Sequence, residues 1–441
     1  MEDAMTLLDL TPRVAAGDRL QTLPVAIIGA GPIGLAAAAN LAERGIDFIV
    51  LEAGEAVAAS VRAWGHTRLF SPWKHLVDPA SRRLLEATGW ELPDPERAPT
   101  GAELVDRYVL PLAQLAPIAS RIRLGVDVIG VAREGMDRTR SRGRAATPFV
   151  LRTREGGAVE ELSARAVIDA SGTYLSPNSL SSNGLGLRGF DEIADVVTHA
   201  LPDVLGRDRA RFAGRHTTVV GAGHSAANTL LGLAELARQE PGTTVTWLIR
   251  NAKAVRVSSS ADDELADRAA LGGRVERAVA DGRIDVVDGF EIIRARRVDD
   301  RAELVGHRGE EDVTHATDVI VNATGFRPDL DMLREVRIDL DDIVEAPRRL
   351  APLIDPNVHS CGTVEPHGFR ELTHPEHGFF IVGMKSYGRA PTFLLATGYE
   401  QVRSVTAWLA GDVASASNVE LVLPATGVCS TNVGGGSGCC S

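Results

Sequence analysis

Two short stretches of small residues carry the most specific chemical signal in this chain. Gly29-Ala30-Gly31-Pro32-Ile33-Gly34 has the spacing Gly-x-Gly-x-x-Gly, and Gly221-Ala222-Gly223-His224-Ser225-Ala226 repeats it with alanine in the third place. In such a turn the first small residue permits a tight bend. The second lets backbone come close to a diphosphate, and the third lets a helix pack against the preceding strand. The chemistry is anion binding: unpaired N–H groups at the start of the helix, aided by its dipole, hold the negative charge. Glu52 follows the first turn at the place where an acid holds the ribose hydroxyls of a dinucleotide. Arg250 stands at the corresponding place after the second turn. An acid there repels a 2′-phosphate, whereas a guanidinium fork holds one, so the second unit is expected to prefer NADPH to NADH, with Lys253 or Arg256 assisting.

Two dinucleotide units in one chain divide the labour between a bound flavin and a diffusible hydride donor. On that reading the remaining reactive residues fall into place as expectations. The chain has only three lysines, Lys74, Lys253 and Lys385, so a lysine inside a motif is informative. Lys385 lies in Gly383-Met384-Lys385-Ser386-Tyr387-Gly388-Arg389, between an apolar strand and a helix expected from about Phe393 to Leu409. A helix N-terminus beside the pyrimidine edge of a flavin stabilises the anionic reduced ring. Lys385 is therefore expected near the flavin. Arg389 is expected to serve the nicotinamide amide or an oxygen intermediate, and Gly383 and Ser386 to line the cofactor. In the loop Val61–Pro72 aromatics, arginines and histidine alternate without helical or strand period, which suits a wall against a flat ligand faced by Arg68 or Ser71.

The elements that must position these residues are legible from apolar runs. Val25–Ile28 and Phe48–Leu51 read as strands flanking an Ala-rich helix. His216–Val220 and Val245–Ile249 flank an apolar-faced helix over 227–237 in the same way. Two further apolar strands end in small-residue corners, Ala170-Ser171-Gly172-Thr173-Tyr174 and Ala323-Thr324-Gly325-Phe326. Their likeness suits a chain that passes twice between two nucleotide domains, with Ser171, Gly172, Thr324 and Gly325 close to cofactor. Residues 76–117 are helical in pattern, with Thr100-Gly101-Ala102-Glu103 as a capping box. Residues 123–131 and 149–152 read as strands of a meander, joined by an exposed charged turn over 133–144. Residues 258–317 read as a helix followed by a second meander. The fold class is α/β: two Rossmann-like domains, the NADPH domain inserted in the FAD domain, and a small helical insertion. The expected boundaries are 1–207 and 319–415 for the two parts of the FAD domain, 208–318 for the NADPH domain, and 416–441 for a tail.

Composition narrows the function classes. The 441 residues are 44% hydrophobic and 24% charged, a globular balance that calls for two or three domains. A formal charge of -12 argues against broad nucleic-acid binding. No apolar run is long enough to span a membrane and no apolar signal core opens the sequence, so a cytoplasmic protein is expected. The four cysteines are too few for a disulfide framework. Cys439 and Cys440 follow the linker-like Gly434-Gly435-Gly436-Ser437-Gly438, with Cys429 upstream. Thiols on such a tether could take a soft thiophilic ion or exchange with a disulfide.

With these motifs in hand, residues 24–410 resemble the flavoproteins with two dinucleotide-binding domains, and within them the class B flavin-containing monooxygenases. More narrowly, Gly383–Thr392, the segment Phe393–Ser404 and the cysteine tail look like flavin monooxygenases of arsenic-resistance gene clusters. The resemblance implies FAD and NADPH, capture of O2 by reduced flavin as a C4a-hydroperoxide, and a small substrate of the trivalent-arsenical kind. The monooxygenase pattern Phe-x-Gly-x-x-x-His has its nearest counterpart in Ile193–His199, with Asp195 at the glycine place. The alternative is a pyridine-nucleotide-dependent disulfide or metalloid reductase working through the tail cysteines, although no Cys-x-x-Cys occurs in the chain. A third reading is a flavin or thiol redox sensor without catalysis. The partners expected are a small-molecule substrate and O2, with neither nucleic acid nor membrane; the oligomeric state is left open.

Overall fold

The computed structural model describes residues 16–251, 266–355, 366–390 and 393–421. Two parallel sheets form its frame. The first has five strands in the order Phe379–Ile381, Ala166–Asp169, Val25–Ile28, Phe48–Leu51 and Ile122–Arg123. Near-continuous apolar sequence is what a parallel sheet covered on both faces requires, and the three central strands are almost wholly buried. The helix Pro32–Glu43 follows the first strand, and its run Ala36–Ala39 is fully buried. Small side chains let the long helix Leu395–Leu409 pack directly on it.

The second sheet also has five strands, ordered Asp285–Val287, Thr244–Leu248, His216–Val220, Val319–Asn322 and Val197–His199. Two of these strands come from stretches expected in the FAD-binding parts of the chain. Ile320 lies beside Thr218 on one side and Val197 on the other, so both 319–322 and 197–199 belong to the second sheet. An apolar strand states that it is buried but not in which sheet, and the neighbour is chosen by register across the fold.

Each meander is a three-stranded antiparallel sheet, over Val126–Arg133, Phe149–Glu155 and Ala158–Ala164, and over Phe290–Val298, Arg301–Arg308 and Glu311–Thr317. Residues 134–143 form the largely exposed turn expected of them, but the turn is anchored at both ends. The flanking residues Arg133 and Arg144 are buried and converge on the Glu376 carboxylate at 2.8 and 2.7 Å. Charge density alone reads as solvated; here an acid distant in sequence draws both guanidiniums inward. The helical insertion is present as short helices between 59 and 119, and the capping box closes as expected. Thr100 Oγ1 accepts from the Glu103 amide at 3.2 Å, and the Glu103 carboxylate accepts from the Thr100 amide at 2.8 Å. Among the described residues no helix is long and apolar enough to cross a membrane.

One buried acid in this insertion makes stability depend on pH. Asp78 caps the helix Pro79–Glu86, accepting from the Ser81 amide at 2.7 Å and the Ser81 hydroxyl at 2.9 Å. Burial outweighs those bonds and pushes its carboxyl up from 3.8 to about 6. The folded state therefore holds this proton longer than the unfolded chain. Its contribution is fully present below pH 4 and is lost as pH rises through 6. Asp78→Asn keeps the cap and removes the proton. Melting curves between pH 4.5 and 7.5 should show a flatter pH dependence for the variant, the difference amounting to a few kcal/mol at most. Parallel curves for the two proteins would refute the assignment.

Candidate functional site

The first glycine turn is built so that two of its glycines are compulsory and one faces open space. Gly29 has φ +100°, and a Cβ there would lie 2.8 Å from the Ala170 carbonyl oxygen. At Gly34 a Cβ would lie 1.9 Å from the Gly29 carbonyl oxygen, so the helix can sit on the strand only without a side chain. A Cβ on Gly31 would meet nothing within 4 Å. That opening lies at the N-terminus of the helix Pro32–Glu43, which has no side-chain cap and carries Pro32 in its first turn. Ile33 follows, and its side chain packs under Gly383. Glu52, at the end of the neighbouring strand, accepts from the Ala30 amide at 2.7 Å and the Gly54 amide at 2.9 Å. The acid is thus pinned beside the turn. An open backbone cradle, an uncapped helix start and a fixed carboxylate meet the needs of the adenosine-diphosphate half of FAD.

The second turn repeats the arrangement. Gly221 has φ +127°, and a Cβ there would fall 2.2 Å from the Ala323 carbonyl oxygen. Gly223 faces open space within 4 Å and caps the helix His224–Gln239 without a side-chain bond. Trp247 Nε1 donates to the Gly221 carbonyl at 2.6 Å and fixes the bend from the adjacent strand. Ala226 is fully buried, as its packing role requires, and the Ser225 carbonyl accepts from the Thr229 hydroxyl at 2.9 Å. Arg250 is exposed just past the strand Thr244–Leu248, with Nη1 donating to the Ser182 carbonyl at 2.9 Å. Lys253 and Arg256 lie outside the described residues.

The two small-residue corners meet each other. Asn178 donates from its amide to the Gly325 carbonyl at 2.9 Å, and Arg327 donates to the Ser176 carbonyl at 3.0 Å. The rings of Tyr174 and Phe326 pack at 5.5 Å. Thr324 Oγ1 donates to Asn322 Oδ1 at 2.7 Å, which ties that hydroxyl to its own strand. Gly172 has φ +71° and open space around a Cβ position. The loop before the insertion does reach across the fold. Phe70 packs on the His224 ring at 5.4 Å, at the start of the second nucleotide helix. Within that loop Arg68 is exposed and turned toward the Ala98 carbonyl, and Ser71 is half-buried.

The Gly383 segment closes over the first turn through the Ile33 side chain. Gly383 has φ +68°, and a Cβ there would stand 3.1 Å from the Ile33 side chain. Lys385 is buried. Its Nζ lies 2.7 Å from Asp169 Oδ2 and donates to Ser171 Oγ at 3.0 Å. The Lys385 charge, expected near the flavin, is met by a buried carboxylate, and Ser171 is the exposed member of that group. Ser386 is also buried, donating to the Gly383 carbonyl at 2.7 Å and accepting from Gln401 at 3.0 Å. Gln401 Oε1 in turn accepts from the Gly383 amide at 2.7 Å, and its Nε2 pairs with the buried His367 ring at 2.8 Å. Arg389 lies on the exposed side of the segment, in an ion pair with Glu345 at 2.6 Å.

Asp169, Gln401 and His367 pair beneath Ser171 and the Gly383 segment, and the sequence assigned none of them a role of its own. Asp169 left one signal, an acid closing an apolar strand where a neutral residue would serve; Gln401 and His367 left none. Asp195, at the glycine place of the monooxygenase pattern, pairs with Arg297 of the second meander. The metal-binding expectation for Cys429, Cys439 and Cys440 lies outside the described residues, as does Cys361.

Comparison with known proteins places this geometry in context. The profile of the family described as pyridine nucleotide-disulphide oxidoreductase matches residues 26–358. No curated protein matches the chain. Among solved structures, the bacillithiol disulfide reductase Bdr (YpdA) from Bacillus cereus is 20% identical. That match has a TM-score of 0.63 and covers 88% of this chain and 99% of the reductase. The ornithine N-hydroxylase of Kutzneria sp. 744 is 17% identical, with a TM-score of 0.59 and coverage of 88% and 99%. A variant of a flavin monooxygenase from Stenotrophomonas maltophilia is 23% identical, with a TM-score of 0.54 and the same coverage of 88% and 99%. At these identities the likeness is one of fold, shared by reductases and monooxygenases alike.

Proposed function

Because the chain belongs to the pyridine nucleotide-disulphide oxidoreductase family, we propose that it is a flavin monooxygenase acting on a small substrate. The coarser part follows from membership: the chain is a flavin oxidoreductase that uses FAD and NADPH. One observation supports the finer reading. The segments around the first glycine turn, Ala170–Gly172 and Gly383–Ser386, contain no cysteine, and no Cys-x-x-Cys occurs anywhere in the chain. A disulfide reductase ordinarily sets a spaced thiol pair beside the flavin. Without one, dioxygen is the electron acceptor that asks least of the protein. Bound FAD supplies hydride acceptance and oxygen activation. The chain supplies the Gly31 cradle, the Glu52 carboxylate and a buried polar layer under Gly383 that holds the closing segment in place.

A trivalent arsenical is the substrate class that the sequence resemblance favours, and the tail thiols suit the chemistry of such a soft ion. L-ornithine, the compound named for the Kutzneria neighbour, is the competitor. The test is NADPH consumption stimulated by each candidate, with labelled O2 traced into product. If reduced flavin is discharged only by a disulfide and no label enters any product, the reductase reading replaces this one.

Two variants probe the parts. Arg250→Ala should raise the KM for NADPH about tenfold, the worth of one charge-assisted contact to a phosphate, while sparing NADH. Equal losses with both donors would remove Arg250 from the 2′-phosphate. Cys439→Ser combined with Cys440→Ser should leave flavin reduction by NADPH unchanged if the tail only carries substrate; a dead reduction step would make the tail part of the electron path.

A further inference from the structure

The hydroxyl of Ser171 has its polarity set from below. Ser171 Oγ donates to Asp169 Oδ1 at 2.7 Å and accepts from Lys385 Nζ at 3.0 Å. A carboxylate can only accept and an ammonium can only donate, so the hydroxyl proton is committed and one lone pair remains. The Ser171 amide also donates to Asp169 Oδ1, at 3.1 Å. Asp169 is fixed in turn by the sheet: it lies beside Ile381 in the parallel register, and its carbonyl accepts from the Val382 amide at 2.9 Å. Asp169 and Lys385 are 0% and 1% exposed at their side chains, while Ser171 is exposed and borders the first glycine turn. A Cβ on Gly29 would come within 3.1 Å of the Ser171 Cα.

We propose that Ser171 is an acceptor of fixed polarity for an O–H or N–H donor of bound FAD, and that Asp169 and Lys385 are positioning residues that fix it without touching the cofactor. The proposal rests on the flavin reading of the first turn. It gives Lys385, expected near the flavin, the role of a buried donor acting through a hydroxyl. It also carries a specificity: a ligand edge offering a carbonyl oxygen at this point would meet a lone pair and be rejected.

The test is a thermodynamic cycle on FAD affinity, with melting of the apoprotein as a second readout. Removing Lys385 alone would leave a buried carboxylate uncompensated. The pair is therefore replaced together, as Asp169→Leu with Lys385→Met, which leaves no buried charge. Ser171→Ala is the mild variant that keeps the test alive if the pair replacement folds poorly. Each should weaken FAD binding about tenfold, and the triple variant should bind no worse than Ser171→Ala. Losses that multiply in the triple variant would mean that Asp169 or Lys385 touches FAD directly, and the positioning role falls. A paired variant that melts lower yet binds FAD normally would make the cluster structural only, and an unchanged Ser171→Ala affinity would remove the hydroxyl from the site. An unaltered protein that takes no FAD overturns the flavin reading itself, and this proposal with it.

Discussion

Gly31→Ala leaves the folded apoprotein intact and strips it of FAD, whereas Gly34→Ala damages the fold itself. The contrast follows from where the added methyl goes. Gly31 has φ -78° and ψ -177°, extended backbone that any residue adopts, and its Cβ position is open to beyond 4 Å. Alanine there restricts the unfolded chain and costs the native state nothing, so apoprotein stability should hold or rise by about 0.5 kcal/mol. The same open space is where the diphosphate must approach backbone, and a methyl in it holds the phosphates off the helix N-terminus. FAD affinity should fall roughly a hundredfold, the loss of two or more charge-assisted bonds. At Gly34 the methyl lands 1.9 Å from the Gly29 carbonyl. Helix and strand must separate, which costs about 1–3 kcal/mol of packing before any ligand is considered. Melting temperature of the apoprotein and absorbance of the reconstituted flavin separate the two. A Gly31→Ala protein as yellow as the parent would disprove that the cradle holds a diphosphate.

These glycines mark how far the sequence could be read. A turn whose residues are local in the chain announces itself, because the tight bend, the close approach and the helix start all lie within Gly29–Gly34 or Gly221–Ala226. The places of Glu52 and Arg250, just past the second strand of each βαβ unit, were legible for the same reason. The residues that work by pairing across the fold were not. Lys385 and Ser171 are 214 positions apart, and only the parallel register of 379–381 beside 167–169 brings them together. Lys385 was recognisable as unusual because lysine is scarce here, but nothing local shows that its charge would be met from beneath. Arg389 looked equally reactive four residues on; its partner Glu345 sits in a separate loop, and the pair is at the surface. The aperiodic loop that carries Phe70 was legible as a loop, whereas its contact with the His224 ring at the second turn was not. The strand 319–322 shows the same limit, since apolarity predicts burial and leaves the choice of sheet to the whole fold.

The largest loss of stability is expected at a residue remote from either turn, through the strand that carries the Gly383 segment. Glu376 is buried between Arg133 and Arg144, and its carboxylate also accepts from the Arg337 amide at 3.2 Å. Burial alone would raise its carboxyl; the bonds from Arg144, Arg133 and the Arg337 amide outweigh it and hold the group below its ordinary range. Both guanidiniums need that charge, because burial also pushes Arg133 down and the Arg144 side chain is only 6% exposed. Glu376→Gln keeps the shape and removes the charge, leaving two buried cations without a counterion. The cost should be about 3–5 kcal/mol, against less than about 1 kcal/mol for Glu345→Gln in the exposed pair with Arg389. Glu376 lies three residues before the strand Phe379–Ile381, which delivers Gly383 to the Ile33 side chain and Lys385 to Asp169. Loosening that anchor should therefore weaken FAD as well, so the Glu376→Gln protein should melt on the order of 10 °C lower and release flavin before it unfolds. Flavin fluorescence and far-ultraviolet circular dichroism followed in one temperature ramp decide this. If the two signals move together in the variant, the ion cluster stabilises the domain without steering the closing segment.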